Sequence, residues 1–226
     1  MKRYDLLLIS AAAAVLVSCA TSRDTGGSGT LELFNGRDLT GWKSTLADAT
    51  VDPASVWSVR DGILICKGEP MGYLASERTF TNYRLEVDYR WAPGQTPGNS
   101  GLFGRINGAP RPLPRCLEIQ LKEGNAGDVL GLQGMKVTGD ADRFKFVANH
   151  EVAGDINIVG RMTGNEKPAG EWNRVEVVVN GGEVTVTFNG QLVNQATGAE
   201  VLAGPVGLQS EGGEIHFRRV QLTSLD

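Results

Sequence analysis

Two stretches of the 226-residue chain place acidic and polar side chains two residues apart inside alternating patterns. In Tyr83-Arg84-Leu85-Glu86-Val87-Asp88-Tyr89-Arg90-Trp91, the side chains of Glu86, Asp88 and Arg90 fall on one face. In Cys116-Leu117-Glu118-Ile119-Gln120-Leu121-Lys122, Glu118, Gln120 and Lys122 do the same. Positions i and i+2 of a strand are roughly 6.5–7 Å apart. The Glu86–Asp88 pair therefore meets the separation of about 6.5–9.5 Å at which one carboxyl can protonate a leaving oxygen while another activates water. The same pattern also describes the solvated outer face of a sheet, the commoner case. Glu118 and Gln120 follow Asn99-Ser100-Gly101-Leu102-Phe103-Gly104-Arg105, and adjacent strands could bring Asn99 and Arg105 beside Glu118. Asn, Arg, Glu and Gln together offer donors and acceptors in fixed directions, which suits a polyhydroxylated ligand.

Other chemistries find little support. HExxH, GxSxG, phosphate-loop and EF-hand patterns are absent, and there are only two histidines, His150 and His216. A zinc site or a Ser-His-Asp triad would have to draw on those two, and no cofactor is expected. Loop carboxylates Asp128, Asp140 and Asp142 leave Ca²⁺ open as an alternative. Trp42, Trp57, Trp91 and Trp172 could each offer a platform for a sugar ring, or sit in the core or at its rim. A net charge of −4, without a basic face, argues against nucleic acid as a partner.

The elements that must position these residues read as strands. Leu85, Val87 and Tyr89 alternate with charges. Val175, Val177 and Val179 run through Asn180-Gly181-Gly182-Glu183 into Val184, Val186 and Phe188, then Asn189-Gly190, which predicts two successive hairpins. Further strands are expected near residues 31–34, 56–59, 62–67, 101–106, 206–209 and 214–222. The 30 glycines are about twice the usual share of ~7% and fit a chain that turns often. No amphipathic helix of three turns is evident. About a dozen antiparallel strands cannot lie in one open sheet without exposing an apolar face. The expected fold is therefore all-β, a jelly-roll sandwich of two antiparallel sheets in one domain over residues 31–226. Residues 123–168, rich in Gly, Asp and Asn, form the least legible stretch.

Residues 1–18 combine Lys2-Arg3, an apolar run from Leu6 to Val17 and a small residue before Cys19, the layout of a secretory signal peptide. Leu16-Val17-Ser18-Cys19 matches a bacterial lipobox. Lipidation is expected at Cys19, followed by a flexible tether over residues 19–30. The membrane is then reached only through that lipid anchor, and the protein is exported to the periplasm or cell surface. Ala20 in place of Asp favours the outer membrane. Cys66 and Cys116 remain, as a disulfide or as free buried thiols.

The order of landmarks resembles the 3-keto-disaccharide hydrolase family. These run from Leu33-Phe34-Asn35-Gly36-Arg37-Asp38-Leu39-Thr40-Gly41-Trp42 through Trp57-Ser58-Val59-Arg60-Asp61-Gly62, Asn99–Arg105 and Cys116–Gln120 to Gly204-Pro205-Val206-Gly207-Leu208-Gln209. The resemblance implies a concanavalin A-like sandwich that breaks glycosidic bonds in sugars whose C3 hydroxyl is oxidised to a ketone. It also implies Glu118 as general base or acid, Arg105 as the ligand of the carbonyl or oxyanion, Gln120 and Gln209 as sugar contacts and Asn99 as shaping the turn. Lys122 is a further candidate substrate contact. Ser210-Glu211 stands where many members carry Asp-His, which makes Glu211 a substitute base or substrate contact. The alternative is a surface lipoprotein that binds carbohydrate without turnover.

Overall fold

The computed structural model describes residues 29–226. The expected signal peptide, Cys19 and the tether up to residue 28 lie outside the described residues. In chain order the elements are β1 (Thr30–Glu32), β2 (Trp42–Leu46), the single turn α1 (Pro53–Val56), β3 (Trp57–Arg60), β4 (Ile63–Cys66), β5 (Gly72–Ser76), β6 (Tyr83–Trp91), β7 (Gly101–Asn107) and β8 (Arg115–Gln120). They continue with β9 (Val129–Gly131), β10 (Phe144–His150), β11 (Gly154–Val159), β12 (Asn173–Asn180), β13 (Glu183–Phe188), β14 (Gln191–Ala196), β15 (Gly207–Ser210) and β16 (Ile215–Ser224).

All pairings between these strands are antiparallel. The first sheet runs β14-β13-β12-β6-β16-β4-β3, with β1 added along β16, and the second runs β10-β11-β9-β8-β7-β15-β5-β2. The fold is the all-β jelly-roll sandwich of the concanavalin A type. Alternation explains the first sheet directly. Leu85, Val87 and Tyr89 of β6 point inward and pair in register with Val177, Val175 and Asn173 of β12. Val175, Val177 and Val179 of β12 in turn oppose Phe188, Val186 and Val184 of β13. These side chains are at most 2% exposed and form the inter-sheet core with Leu102, Leu117, Ile119 and Leu208 of the second sheet. At about 25 cal/mol per Å² of apolar surface removed from water, that layer is what holds the sheets together.

The second sheet is buried on its outer side as well. Tyr73, Phe103, Leu113, Cys116, Leu132, Ala153 and Ile156 make a separate cluster there, covered by the β7–β8 loop and the β10–β11 turn. Residues 123–168 thus hold three strands, β9, β10 and β11, that their Gly- and Asp-rich composition concealed. Cys66 and Cys116 are both free and buried. Cys66 belongs to the inter-sheet core and Cys116 to the outer cluster, so the two thiols occupy different layers and the disulfide alternative is discarded.

Candidate functional site

β7 begins, and β8 and β15 end, at the same edge of the second sheet. Gly101 pairs with Gln120, and Leu102 pairs with Leu208, which brings Gln209 alongside Gly101. Glu118, on the same face as its register partner Phe103, is only 3% exposed. Its carboxylate folds over Gly101. A Cβ at that glycine would lie 2.5 Å from Glu118 Oε1 and 3.0 Å from Gln209 Oε1. Glycine is required here by space, because any side chain would occupy the position of the carboxylate.

Gln209 is fully buried, and its Nε2 donates to Glu211 Oε2 at 2.7 Å. An ionised carboxylate only accepts, so this bond orients the amide and turns Gln209 Oε1 toward Glu118. The loops bearing Asn99 and Glu211 are locked backbone to backbone. Asn99 N–H donates to the Gly212 carbonyl at 2.9 Å, and a Cβ at Gly98 would collide with that same oxygen. Ser100 Oγ donates to the Gln209 carbonyl at 2.9 Å, tying β7 to β15 below the site.

The result is three buried acceptors, Glu118 Oε1, Gln209 Oε1 and Asn99 Oδ1, with no protein donor. An unsatisfied buried polar atom costs about 1–3 kcal/mol, so three at the neighbouring ends of β7, β8 and β15 mark a place where O–H or N–H groups of water or a ligand can be taken up. Burial, reinforced by the negative charge of Glu211, pushes the Glu118 carboxyl up to about 8. Burial also raises Glu211, against which the Gln209 hydrogen bond and then the Lys122 charge pull. Two acidic groups with raised proton affinity, beside orphaned acceptors, are an arrangement suited to moving a proton on a hydroxylated substrate.

Of the residues expected from sequence, Glu118, Gln209, Glu211 and Asn99 come together, with Lys122 near Glu211. Gln120 reaches the edge, but its Oε1 accepts from the backbone N–H of Leu121 and Lys122, each at 3.1 Å, and caps the end of β8. Arg105 does not join them. The β7–β8 register shifts between Gly104 and Asn107, and Arg105 adopts φ +53°. That bulge sends the guanidinium to the end of the sandwich. It donates there to the carbonyls of Thr81 (2.8 and 3.1 Å), Gly181 (2.8 Å) and Glu200 (2.5 Å). Its donors are consumed in holding the loops of both sheets, and the expected role as oxyanion ligand is corrected to a structural one.

Glu86 and Asp88 lie on the outer face of the other sheet. Asp88 accepts from Arg174 at 2.7 and 3.0 Å and from Arg218 at 3.3 Å. Partial burial alone would raise it, but those guanidiniums win and hold it below the usual carboxylate range. Trp42, Trp57 and Trp91 are core residues, and Trp172 is stacked between Arg90 and Arg218, 4.6 and 4.3 Å from its ring centroid. None is a platform beside Glu118. The aromatic groups on the site's own face are Tyr73 and Phe103, edge to face at 5.7 Å. Tyr73 leaves no signal in the sequence, since β5 is buried on its two faces and shows no alternation, and Phe103 reads only as part of its strand. Among the described residues, no three His, Cys, Asp or Glu side chains form a metal cluster. Asp128 accepts from Arg161 N–H, and Asp140 pairs with Arg143.

A sequence profile for the 3-keto-α-glucoside-1,2-lyase-like domain matches residues 29–223. The chain belongs to this family. It is 22% identical over 248 residues to the 3-keto-disaccharide hydrolase of Bacteroides thetaiotaomicron, covering 88% of this chain and 79% of that relative. The β-glucanase of Bacillus licheniformis superposes with a TM-score of 0.57 at 16% identity, covering 88% of this chain and 99% of the other. The carbohydrate-binding module CBM66 of Bacillus subtilis gives 0.56 at 15% identity, covering 82% and 96%. One fold thus carries hydrolases and binding modules alike, and the activity has to be argued from the site.

Proposed function

We propose that this family member cleaves the glycosidic bond of 3-keto-glycosides, with Glu118 as general base. The observation that carries the proposal is the buried Glu118 carboxylate facing the oriented Gln209, with neither Oε1 partnered. A C3 ketone acidifies the C2 hydrogen. Ionised Glu118 takes that proton, the C2–H electron pair becomes the C1=C2 bond, and the C1–O bond breaks with its electrons on the leaving oxygen. That oxygen takes up a proton from water. Water then adds across C1=C2, and the net reaction is hydrolysis. A carboxylate of proton affinity near 8 is a stronger base than an ordinary surface glutamate, which is what removal of a proton from carbon needs. Gln209 and Asn99 accept hydrogen bonds from the sugar hydroxyls, and Lys122 offsets negative charge near Glu211.

The test is NMR of the products formed from 3-keto-trehalose and 3-keto-glucosides by the mature protein and by folded Glu118→Gln. The proposal expects product from the former and essentially none from the latter. Saturable binding by the wild-type protein without turnover would instead establish a carbohydrate-binding protein. The enzyme is further proposed to act as an exported lipoprotein held through Cys19. Radiolabelled palmitate should label the wild type and not Cys19→Ala.

A further inference from the structure

Register sets a row of side chains across the outer face of the second sheet. Phe103 of β7 pairs with Glu118 of β8, Glu118 with Leu130 of β9, Leu130 with Ile158 of β11, and Ile158 with Lys145 of β10. Exposure along this row is one-sided. Phe103 is 1% exposed, in the cluster with Tyr73 and Leu113, and Cys116, the next residue on this face of β8, is fully buried. Leu130 and Ile158 are half-buried at the margin of that cluster, and Lys145 is exposed. A ligand whose reacting ring lies at Glu118 is therefore walled off toward β7 and down β8. The strand end carries the Glu211 segment, locked to Asn99 through the Gly212 carbonyl. The open way runs across β9 and β11 toward β10.

The chemistry of that way is graded. Leu130 and Ile158 present aliphatic side chains without polar atoms, a shelf for a flat apolar group. Lys145 closes the row about 14 Å from Glu118 at the usual strand spacing, and its long side chain can cover part of that distance. Its neighbours on this face of β10 and β11 are Val147, Ile156 and Ile158. Among the described residues, no carboxylate pairs with it. On the first sheet, by contrast, Arg84, Arg174, Arg218 and Arg219 each have a carboxylate partner. We infer that the leaving group of the glycoside lies over Leu130 and Ile158 with its far end at Lys145, and that Lys145 favours leaving groups ending in a carboxylate. The inference rests on the reading of Glu118 as the reacting group, which places the sugar ring at the head of the row. A carboxylate at the far end meets an ammonium with no other counter-charge, whereas an uncharged end gains only the contact with the shelf.

Lys145 is exposed, so its substitution leaves the core untouched. The experiment compares kcat/KM for the 3-keto forms of 4-carboxyphenyl and 4-carbamoylphenyl glucoside, which differ in charge and hardly in shape, in the wild type, Lys145→Gln and Lys145→Glu. In parallel, amide shifts are mapped in the wild type with unoxidised 4-carboxyphenyl glucoside, which lacks the ketone that acidifies C2 and so stays intact. The expected wild-type preference for the carboxylate is about fivefold at low salt. It should vanish in Lys145→Gln and reverse in Lys145→Glu, with shifts at Leu130, Ile158 and Lys145. The same preference in the wild type and Lys145→Glu, or shifts centred elsewhere, would overturn the shelf and leave Glu118 untouched. Should the wild type turn over neither substrate, the proposed reaction fails on its own. The shift map then decides alone, and shifts confined to Leu130, Ile158 and Lys145 uphold the shelf.

Discussion

The two outer faces of the sandwich use the same residue types to opposite ends. On the first sheet, Asp88 is clasped by Arg174 and Arg218, Glu86 lies 3.6 Å from Arg219, and Glu176 lies 3.8 Å from Arg84. Each of these three carboxylates has a cation, and Asp88 is held ionised. On the second sheet, Glu118 is buried without a cation in contact, faces an oriented amide and retains its proton to about pH 8. An i, i+2 acidic pattern therefore does not distinguish a solvated face from a reactive one. The neighbours do, since Asp88 is as little exposed as Glu118, 4% against 3%, and differs in its two guanidinium partners.

Substitutions on either face can break this contrast. The largest effect is expected for Glu118→Gln, which should lower kcat by about 10³-fold while the protein stays folded. Linkage gives the sign for stability. Between the ordinary carboxylate range and about 8, the native state keeps a proton that the unfolded chain has lost, so stability falls as pH rises through that window. Glu118→Gln removes the titration, and its Tm at pH above 8 should exceed that of the wild type by roughly several degrees. A lower Tm in differential scanning calorimetry would count against the buried, unpaired state.

Arg105→Met should have the next largest effect, and on stability. It strands the carbonyls of Thr81, Gly181 and Glu200, at a cost of about 3 kcal/mol or more in denaturant unfolding, while kcat of the folded fraction changes little. A catalytic role for Arg105 would reverse that pattern. Gly101→Ala presses a methyl group onto the Glu118 carboxylate and should cost about 10- to 100-fold in kcat/KM, with a smaller loss of stability. The smallest effect is expected for Asp88→Asn, about 1 kcal/mol of stability and no loss of turnover. A large fall in turnover there would mean that the first sheet, not the second, carries the chemistry.

Much of the fold was legible because β6, β12 and β13 sort apolar and charged residues onto two faces, the pattern of a strand with one buried side. β5 was not, since Tyr73 and Leu74 are buried on opposite faces, and neither were β9 to β11, since β9 has three residues and β10 is exposed along most of its length, leaving no alternation to read. In the site, Glu118 and Gln209 were readable from their strands. Arg105 was misplaced because the order of motifs and the adjacency of two strands carry no register, and a bulge at a residue of φ +53° leaves no mark in composition. The three orphaned acceptors are a property of the packed state, and only the folded chain reveals them.

The most direct test is the pH dependence of kcat/KM on a 3-keto-glycoside, measured for the wild type and Glu118→Gln. The account predicts a limb that rises with pH to a plateau, with an apparent pKa near 8, and no measurable limb in the variant. A profile flat across that range, or a folded Glu118→Gln protein that turns over as the wild type does, would contradict it.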